Sequence, residues 1–403
     1  MSVYYSDDLV TLYHGDCRDV MATLGTATVD AIVTDPPYEL GFMGRRWDAS
    51  GIAYDHEVWK RAYDVLKPGG HLLAFGGTRT WHRLAVAIED AGFEVRDSIA
   101  WMYGSGFPKS LDVSKAIDKA AGVEREVVGF ASGVRNGNGN NIDYNVYGSA
   151  ETGNYEITAP ATPAAQQWQG WGTALKPAFE PIVVARKPLD GTVAENVLRH
   201  GTGALNIDGS RIGTDEPIAC HHGTNGAAGV TYGTRKEYVK GSAGPDATHT
   251  KGRWPANVIL DEPQAAELDR QSGVIKGQVG MTKTAGGHRF ITGDTETVQQ
   301  FDHGVTDTGG ASRFFYVPKA NASERPRDGD TAHPTVKPLD LMRYLVKLVT
   351  PPGGTVLEPF AGSGTTLEAC VVEGFHVIGI ELTEDYLPLI VQRLSKPIEQ
   401  VLW

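Results

Sequence analysis

The chain has 403 residues, 41% hydrophobic and 21% charged, with a net charge of −12. That is the balance of an ordinary globular protein long enough for two units, and the acidic total excludes indiscriminate polyanion binding while leaving room for a local basic surface. No apolar run reaches the roughly 18 residues of a membrane span, the first residues lack a secretory pattern, and three scattered cysteines (Cys17, Cys220, Cys370) exclude a disulfide framework or a Cys-rich zinc site and suit a reducing cytoplasm.

Residues 9–102 read as alternating strands and helices. A short strand at 11–13 ends at Gly15-Asp16, and a short helix follows at 19–24. The apolar run 29–33 predicts a strand that stops at Thr34-Asp35-Pro36-Pro37-Tyr38. Helical spacing over 56–66 closes with Lys67-Pro68-Gly69-Gly70, and 71–75 is a buried-type strand. A helix at 81–91 stopped by Gly92 and a strand at 94–103 complete a βαβ series, for which a parallel sheet is the default.

The Asp-Pro-Pro-Tyr turn is the most informative of these segments. Proline fixes φ and lacks an N–H, so the pair stops the strand and stiffens the bracket. Each residue before a proline is pushed to extended geometry. The bracket sits where open α/β sheets place ligands, at the C-terminal end of a strand. One carboxylate, backbone carbonyls and one aromatic face suit a planar base carrying an exocyclic NH2. On its own, the same tetrapeptide also fits an exposed turn or a Pro-rich ligand for an adaptor domain.

The pattern then degrades. A helix is expected at 112–121, and 132–170 is rich in Gly, Asn, Thr, Ala and Pro, which reads as a long loop or insertion. A strand resumes at 181–186, and residues 187–330 hold short apolar pieces (257–260, 313–317) among polar, Gly-rich loops. Residues 271–293 contain no acid, while Lys276, Lys283, His288 and Arg289 sit among glycines. They are candidate DNA contacts, with a solvated loop as the alternative. Cys220-His221-His222 has no partner cluster at ligand spacing, so no metal is expected.

Regular character returns with a helix at 338–349, a strand at 355–357, a helix at 367–373, a strand at 376–380 and a helix at 385–394. Between the first two strands lies Glu358-Pro359-Phe360-Ala361-Gly362-Ser363-Gly364. Strand, glycine turn, helix, strand and terminal acid (Glu381) form a nucleotide-binding pattern in which the acid meets ribose hydroxyls. No Lys follows the second glycine, so this is not a phosphate-cradling loop, and Leu367 stands where a dinucleotide fingerprint has its third glycine. A nucleoside without phosphates and with a zwitterionic tail, such as S-adenosylmethionine, fits better than NAD. The expected fold is an α/β, Rossmann-like sheet built from both chain ends. Its parts are 1–104, an insertion at 105–178, a returning strand at 179–186, a less regular region at 187–330, and 331–403.

The two motifs together resemble the β-group of DNA amino-methyltransferases, in which Asp-Pro-Pro-Tyr precedes the target-recognition region and the cofactor glycine motif follows it. His333-Pro334-Thr335-Val336-Lys337-Pro338 looks like a further signature of that group, and Leu12-Tyr13-His14-Gly15-Asp16 resembles its adenine-contacting segment. Stretches 104–119, 171–188 and 311–320 are similar to methyltransferases carried by bacteriophages and prophages. The resemblance implies a set of roles. Asp35 and the Pro36 carbonyl, in the bracket that Pro37 stiffens, would accept the target NH2 protons, and Tyr38 would stack on the extruded base. Glu358, Pro359, Phe360, Gly362 and Gly364 would line S-adenosylmethionine, and Glu381 would bind its ribose. Asp16, beside the Cys17 backbone, would receive the adenine amine. Thr335 and Lys337 would lie near the cofactor carboxylate, although a solvated lysine at a helix start is an equal alternative for Lys337.

The expected activity is methyl transfer to adenine N6 in double-stranded DNA, with 187–330 as the target-recognition region. Asp at the first motif position favours adenine in that group, where Ser favours cytosine N4. Cytosine N4, a non-catalytic DNA-binding protein on the same fold and a nucleotide-binding oxidoreductase stay open, and so do a homodimer and a companion endonuclease. Neither a membrane association nor a catalytic cysteine is expected.

Overall fold

The structure is a computed structural model that describes residues 1–40, 49–104, 106, 110–135, 142–143, 151–213, 218–220, 247–249, 252–276, 308–319, 327–328, 331–332 and 336–396. Its contacts divide the chain into two units, Met1–Trp101 with Pro181–Trp403, and Met102–Glu180.

The larger unit is built on a nine-stranded sheet. In chain order the strands are β1 (Ser2–Ser6), β2 (Val10–His14), β3 (Val29–Thr34), β4 (Leu66–Phe75), β5 (Glu94–Met102), β6 (Phe179–Arg186), β7 (Val258–Leu260), β8 (Thr355–Glu358) and β9 (His376–Glu381). Their order across the sheet is β1-β2-β9-β8-β3-β4-β6-β5-β7. The five central strands from β2 to β4 are mutually parallel. The expected parallel sheet therefore holds at its centre. It gives way to antiparallel pairing where β1 meets β2 and where β6 meets β4.

The central strands alternate buried side chains between two faces. Ala31, Val33, Leu73, Phe75, Ile182, Val184 and Val356 belong to one apolar cluster, and Ile32, Leu72, Ala74, Val183, Ala185 and Leu357 to the other. A strand buried on both faces reads as a continuous apolar run, which is why 29–33 and 71–75 stand out in the sequence. Helices α1 (Cys17–Met21), α2 (His56–Val65) and α3 (Trp81–Asp90) supply the second cluster. Helices α4 (Leu339–Val349), α5 (Thr365–Glu373) and α6 (Leu387–Leu394) supply the first. The sheet is thus assembled from both chain ends, with its helices in two layers.

Lys67-Pro68-Gly69-Gly70 does not separate α2 from the next strand. β4 begins at Leu66, and its register against β3 shifts between Val29 and Ala31. Gly69 takes a φ of +76°, which a side chain would resist.

In the smaller unit, the segment expected as a loop carries β-structure. Strands Val127–Arg135 and Glu151–Thr158 pair antiparallel, with Phe130 opposite Glu156. Ladder bonds are made by backbone, so a Gly- and Thr-rich stretch forms them where its flanks supply Val, Phe, Tyr and Ile. Helix Val113–Ala120 packs nearby and buries Asp118, which accepts from Arg125 Nη1, the Ala161 and Thr162 amides and the Thr162 hydroxyl.

Candidate active site

The parallel strands all end at one edge of the sheet. Asp16 lies two residues beyond β2, Glu381 ends β9, Glu358 ends β8, and Asp35 follows β3 directly. β8 continues through α5 to β9 on one side, while β3 continues through α2 to β4 on the other, with α5 and α2 in opposite helix layers. The gap between β8 and β3 is therefore the topological switch point, where such sheets bind ligands.

A buried carboxylate spans that gap. Glu358 is 1% exposed. Its Oε1 accepts from the Thr34 hydroxyl and from the Phe360 amide (3.0 Å), and its Oε2 accepts from the Thr366 hydroxyl (2.7 Å). Thr34 is the residue before Asp35, and Phe360 lies inside the glycine turn, so one side chain ties the two motifs together. Burial pushes the Glu358 carboxyl up to about 8, against the pull of these donors. Glu358, expected among the residues lining the cofactor, thus meets protein donors through both of its oxygens.

The turn after β8 is shaped by Gly362 (φ +51°) and Gly364 (φ +79°). A Cβ on Gly364 would stand 2.9 Å from Ile390 Cγ2, so α6 closes over it. Glu381 faces the turn, with Oε2 accepting from the Gly362 amide and Oε1 from the Thr383 amide, each at 2.7 Å. Burial raises its carboxyl, and those amides pull the other way. Leu367 packs against Gly379 on β9, where a Cβ would lie 2.7 Å from Leu367 Cδ2. The room that a third glycine gives in the dinucleotide fingerprint comes here from the neighbouring strand.

The Gly15 amide donates to the Glu381 carbonyl, which places Asp16 one strand from Glu381. Asp16 caps α1 by accepting from the Arg18 amide (2.9 Å) and also pairs with the Arg18 guanidinium (2.6 Å), which holds its carboxyl low. Acceptor carboxylates at adjacent strand ends, beside a glycine turn without a lysine, fit a nucleoside that offers hydroxyl and amine donors. They do not fit a polyphosphate.

Cys17 and Cys370 are buried, and burial pushes Cys17 up to about 12 and Cys370 well above its ordinary value. Burial therefore disfavours the thiolate at both. Iodoacetamide at about pH 8 is expected to label Cys17 and Cys370 in the folded protein at least roughly a thousandfold more slowly than after denaturation, read by peptide mass mapping. Equal rates would show that these thiols are accessible.

The acceptor bracket is held from several sides. Pro36 is buried, and the Tyr38 carbonyl accepts from the Thr80 hydroxyl at 2.9 Å. Gly77, after β4, leaves room for the Tyr38 ring, whose Cδ2 would be 3.3 Å from a Cβ there. Glu39 turns the chain with a φ of +55° and accepts from the Gly51 amide at 2.7 Å. The Lys337 ammonium, 9% exposed as a residue, donates to Asp35 Oδ2 at 2.6 Å and to the Tyr38 hydroxyl at 3.1 Å. It also lies 4.8 Å from the Phe75 ring centre. Asp35 Oδ1 is buried and, among the described residues, has no hydrogen-bond partner.

The structure thus gathers Asp16, Cys17, Asp35–Tyr38, Lys337, Glu358–Gly364 and Glu381 at one sheet edge. It sets Lys337 on the bracket carboxylate. Thr335, Lys283, Arg289, His221 and His222 lie outside the described residues, and of Lys276 only the backbone is described, in a two-residue strand paired with Thr308–Gly309. Among the described residues no three His, Cys, Asp or Glu side chains form a metal-holding group, and no helix is long and apolar enough to cross a membrane. Thr34, Thr80, Gly77, Thr366 and Gly379 are site residues that sequence reasoning missed. Only the adjacency of Thr34 and Thr366 to the two motifs could have pointed to any of them.

The chain is similar to known proteins. The Type II methyltransferase M.HindIII of Haemophilus influenzae is 23% identical over 343 residues, 84% of this chain and 68% of that protein. The Escherichia coli protein YubD is 45% identical over 67 residues, 17% of this chain and 30% of its own length. Among solved structures, the PvuII DNA methyltransferase (cytosine-N4-specific) aligns with a TM-score of 0.44 at 12% identity, over 98% of this chain and 89% of that one. The M1.HpyAVI–SAM complex aligns with a TM-score of 0.39 at 17% identity, over 96% and 100%. The family model for N6 and N4 methyltransferases, described as DNA methylase, matches residues 29–392 and so takes in both the acceptor bracket and the glycine turn. A chain matched over that span, with both motifs at the switch point of its sheet, belongs to the DNA methylase family and takes S-adenosylmethionine as cofactor.

Proposed function

We propose that this DNA methyltransferase modifies the exocyclic N6 of adenine in duplex DNA, on a base turned out of the helix. The observation that carries the reading is Asp35 at the switch point, whose Oδ1 has no hydrogen-bond partner among the described residues and which lies beside an aromatic ring. The bound cofactor supplies an activated methyl group. Glu381, Asp16 and the 360–364 turn are the residues that would hold it.

An exocyclic amine is a poor nucleophile because its lone pair is delocalised into the ring. Asp35 and the Pro36 carbonyl accept its two N–H bonds, which favours a pyramidal nitrogen with a localised lone pair. No covalent enzyme intermediate is needed, and preorganised acceptors and positioning supply the acceleration. Turning the base out costs a few kcal/mol. Stacking on Tyr38 offsets roughly 1–3 kcal/mol of that. Adenine is favoured over cytosine because the first bracket residue is Asp. Residues 187–330 are the region that reads the target.

The test is transfer of tritiated methyl from S-adenosylmethionine to unmethylated duplex DNA, followed by hydrolysis and separation of the bases. Label in N6-methyladenine is the expected result. Label in N4-methylcytosine would keep the mechanism and overturn the base. No label on diverse duplexes, despite cofactor binding, would overturn DNA as the acceptor.

A further inference from the structure

We propose that Lys337 is a positioning residue for the acceptor carboxylate, holding Asp35 Oδ2 and the Tyr38 hydroxyl together so that Oδ1 alone meets the target amine. The proposal rests on the reading of Asp35 as the group that accepts the amine protons.

The two oxygens of a free carboxylate interchange by rotation about χ2 and offer no fixed direction. A charge-assisted bond to one of them breaks that equivalence. Here the bond runs between residues 302 apart in the chain, from the segment leading into α4 to the end of β3. The lysine ammonium lies over the Phe75 and Tyr38 rings, 4.8 and 5.2 Å from their centres. Its ammonium is therefore confined to a narrow place. A second bond, to the Tyr38 hydroxyl, fixes the edge of the stacking ring by the same contact. The outcome is a buried Oδ1 with no hydrogen bond among the described residues. Native proteins rarely leave a buried acceptor unmade, and a catalytic role is one of the reasons they do. Oδ1 is closed to solvent, so the N–H of a base stacked on Tyr38 would satisfy it only as the base enters the bracket and displaces what covers that oxygen.

Charge supports the same arrangement. A lone ammonium beside the reacting nitrogen would oppose the positive charge that develops there. Paired with Asp35 it leaves the bracket close to neutral while still fixing its geometry. Lys337 touches neither substrate nor cofactor in this role. It acts through Asp35 and Tyr38.

The experiment is a double-mutant cycle of Lys337→Met and Asp35→Ala on the full chain. It reads single-turnover methyl transfer to duplex DNA at saturating S-adenosylmethionine, with cofactor binding measured by calorimetry. Lys337→Met is expected to slow transfer by roughly a hundredfold, while cofactor Kd moves by less than about threefold. In the double variant the two losses are expected not to multiply, because the lysine has nothing left to position. Lys337→Arg, which keeps the charge and is the second variant should Lys337→Met fail to fold, is expected to retain about a tenth or more of the wild-type rate.

A cofactor Kd weakened tenfold or more by Lys337→Met, with the saturated rate unchanged, would overturn the proposal and make Lys337 a cofactor ligand. Losses that multiply in the double variant would also overturn it. Failure of the underlying reading has a separate signature, since Asp35→Ala alone would then keep its activity.

Discussion

Asp35→Ala is expected to lower single-turnover methyl transfer by about three orders of magnitude while S-adenosylmethionine affinity stays within a few fold. The reason lies in where Asp35 sits. It follows β3 on the far side of the switch point from the glycine turn, and its Oδ2 accepts from Lys337, not from the groups that would hold the cofactor. Removing it takes away an acceptor aimed at the amine and leaves the Glu381 and Gly362 arrangement intact. Asp35→Asn tests direction as well as charge. Lys337 would hold the amide oxygen in the place of Oδ2, and the NH2 group would then occupy the place of Oδ1, donor facing donor. Asparagine is therefore expected to be no better than alanine despite its near-identical shape. Activity within tenfold of wild type for Asp35→Ala would remove Asp35 from the chemistry. Cofactor binding lost together with activity would mean that the two halves of the site depend on each other more than their hydrogen bonds indicate.

The halves of the site differ in how far they could be read ahead of the structure. The strands that carry it are buried on both faces, so 29–33, 71–75 and 376–380 announce themselves as apolar runs ended by an acid or a turn. The glycine turn and Glu381 are close in sequence, and the Gly362–Glu381 bond joins residues 19 apart. Lys337 is a different case. Its position next to Pro338 speaks only of a helix start, and nothing local names a partner 302 residues away. Glu358 belongs to the block that the resemblance places along the cofactor, and nothing in that block names the side chains it bonds. The side chains that donate to it, Thr34 and Thr366, are hydroxyls that carry no charge to betray a pairing. Leu367 appeared to break the dinucleotide pattern, yet the space it fills is opened by Gly379 on the adjacent strand. The strand pair 127–135 and 151–158 escaped because composition reports side chains, whereas the ladder is backbone.

Glu358 carries the other large expectation, on stability. Glu358→Ala would leave the Thr34 and Thr366 hydroxyls and the Phe360 amide without their acceptor. At roughly 1–3 kcal/mol for each buried unsatisfied group, the loss is about 3 kcal/mol or more, enough to loosen both the bracket and the turn. The pH dependence gives the sharper test. The Glu358 carboxyl rises from its ordinary 4.5 to about 8 through burial. Between those values the folded protein keeps a proton that the unfolded chain has released. Stability from this group is therefore fully present below about pH 4.5, falls by up to about 1.4 kcal/mol per pH unit across the window, and levels off above about pH 8. Glu358→Gln imitates the protonated acid, with one acceptor and one donor end, and cannot titrate. It is expected to fold nearly as stably as wild type at about pH 5 and to overtake it by about pH 8 in urea unfolding. Parallel stability profiles for the two proteins would show that Glu358 holds no extra proton. In that case the hydrogen bonds from Thr34, Thr366 and Phe360 outweigh burial, and a charged strut rather than a neutral one spans the switch point.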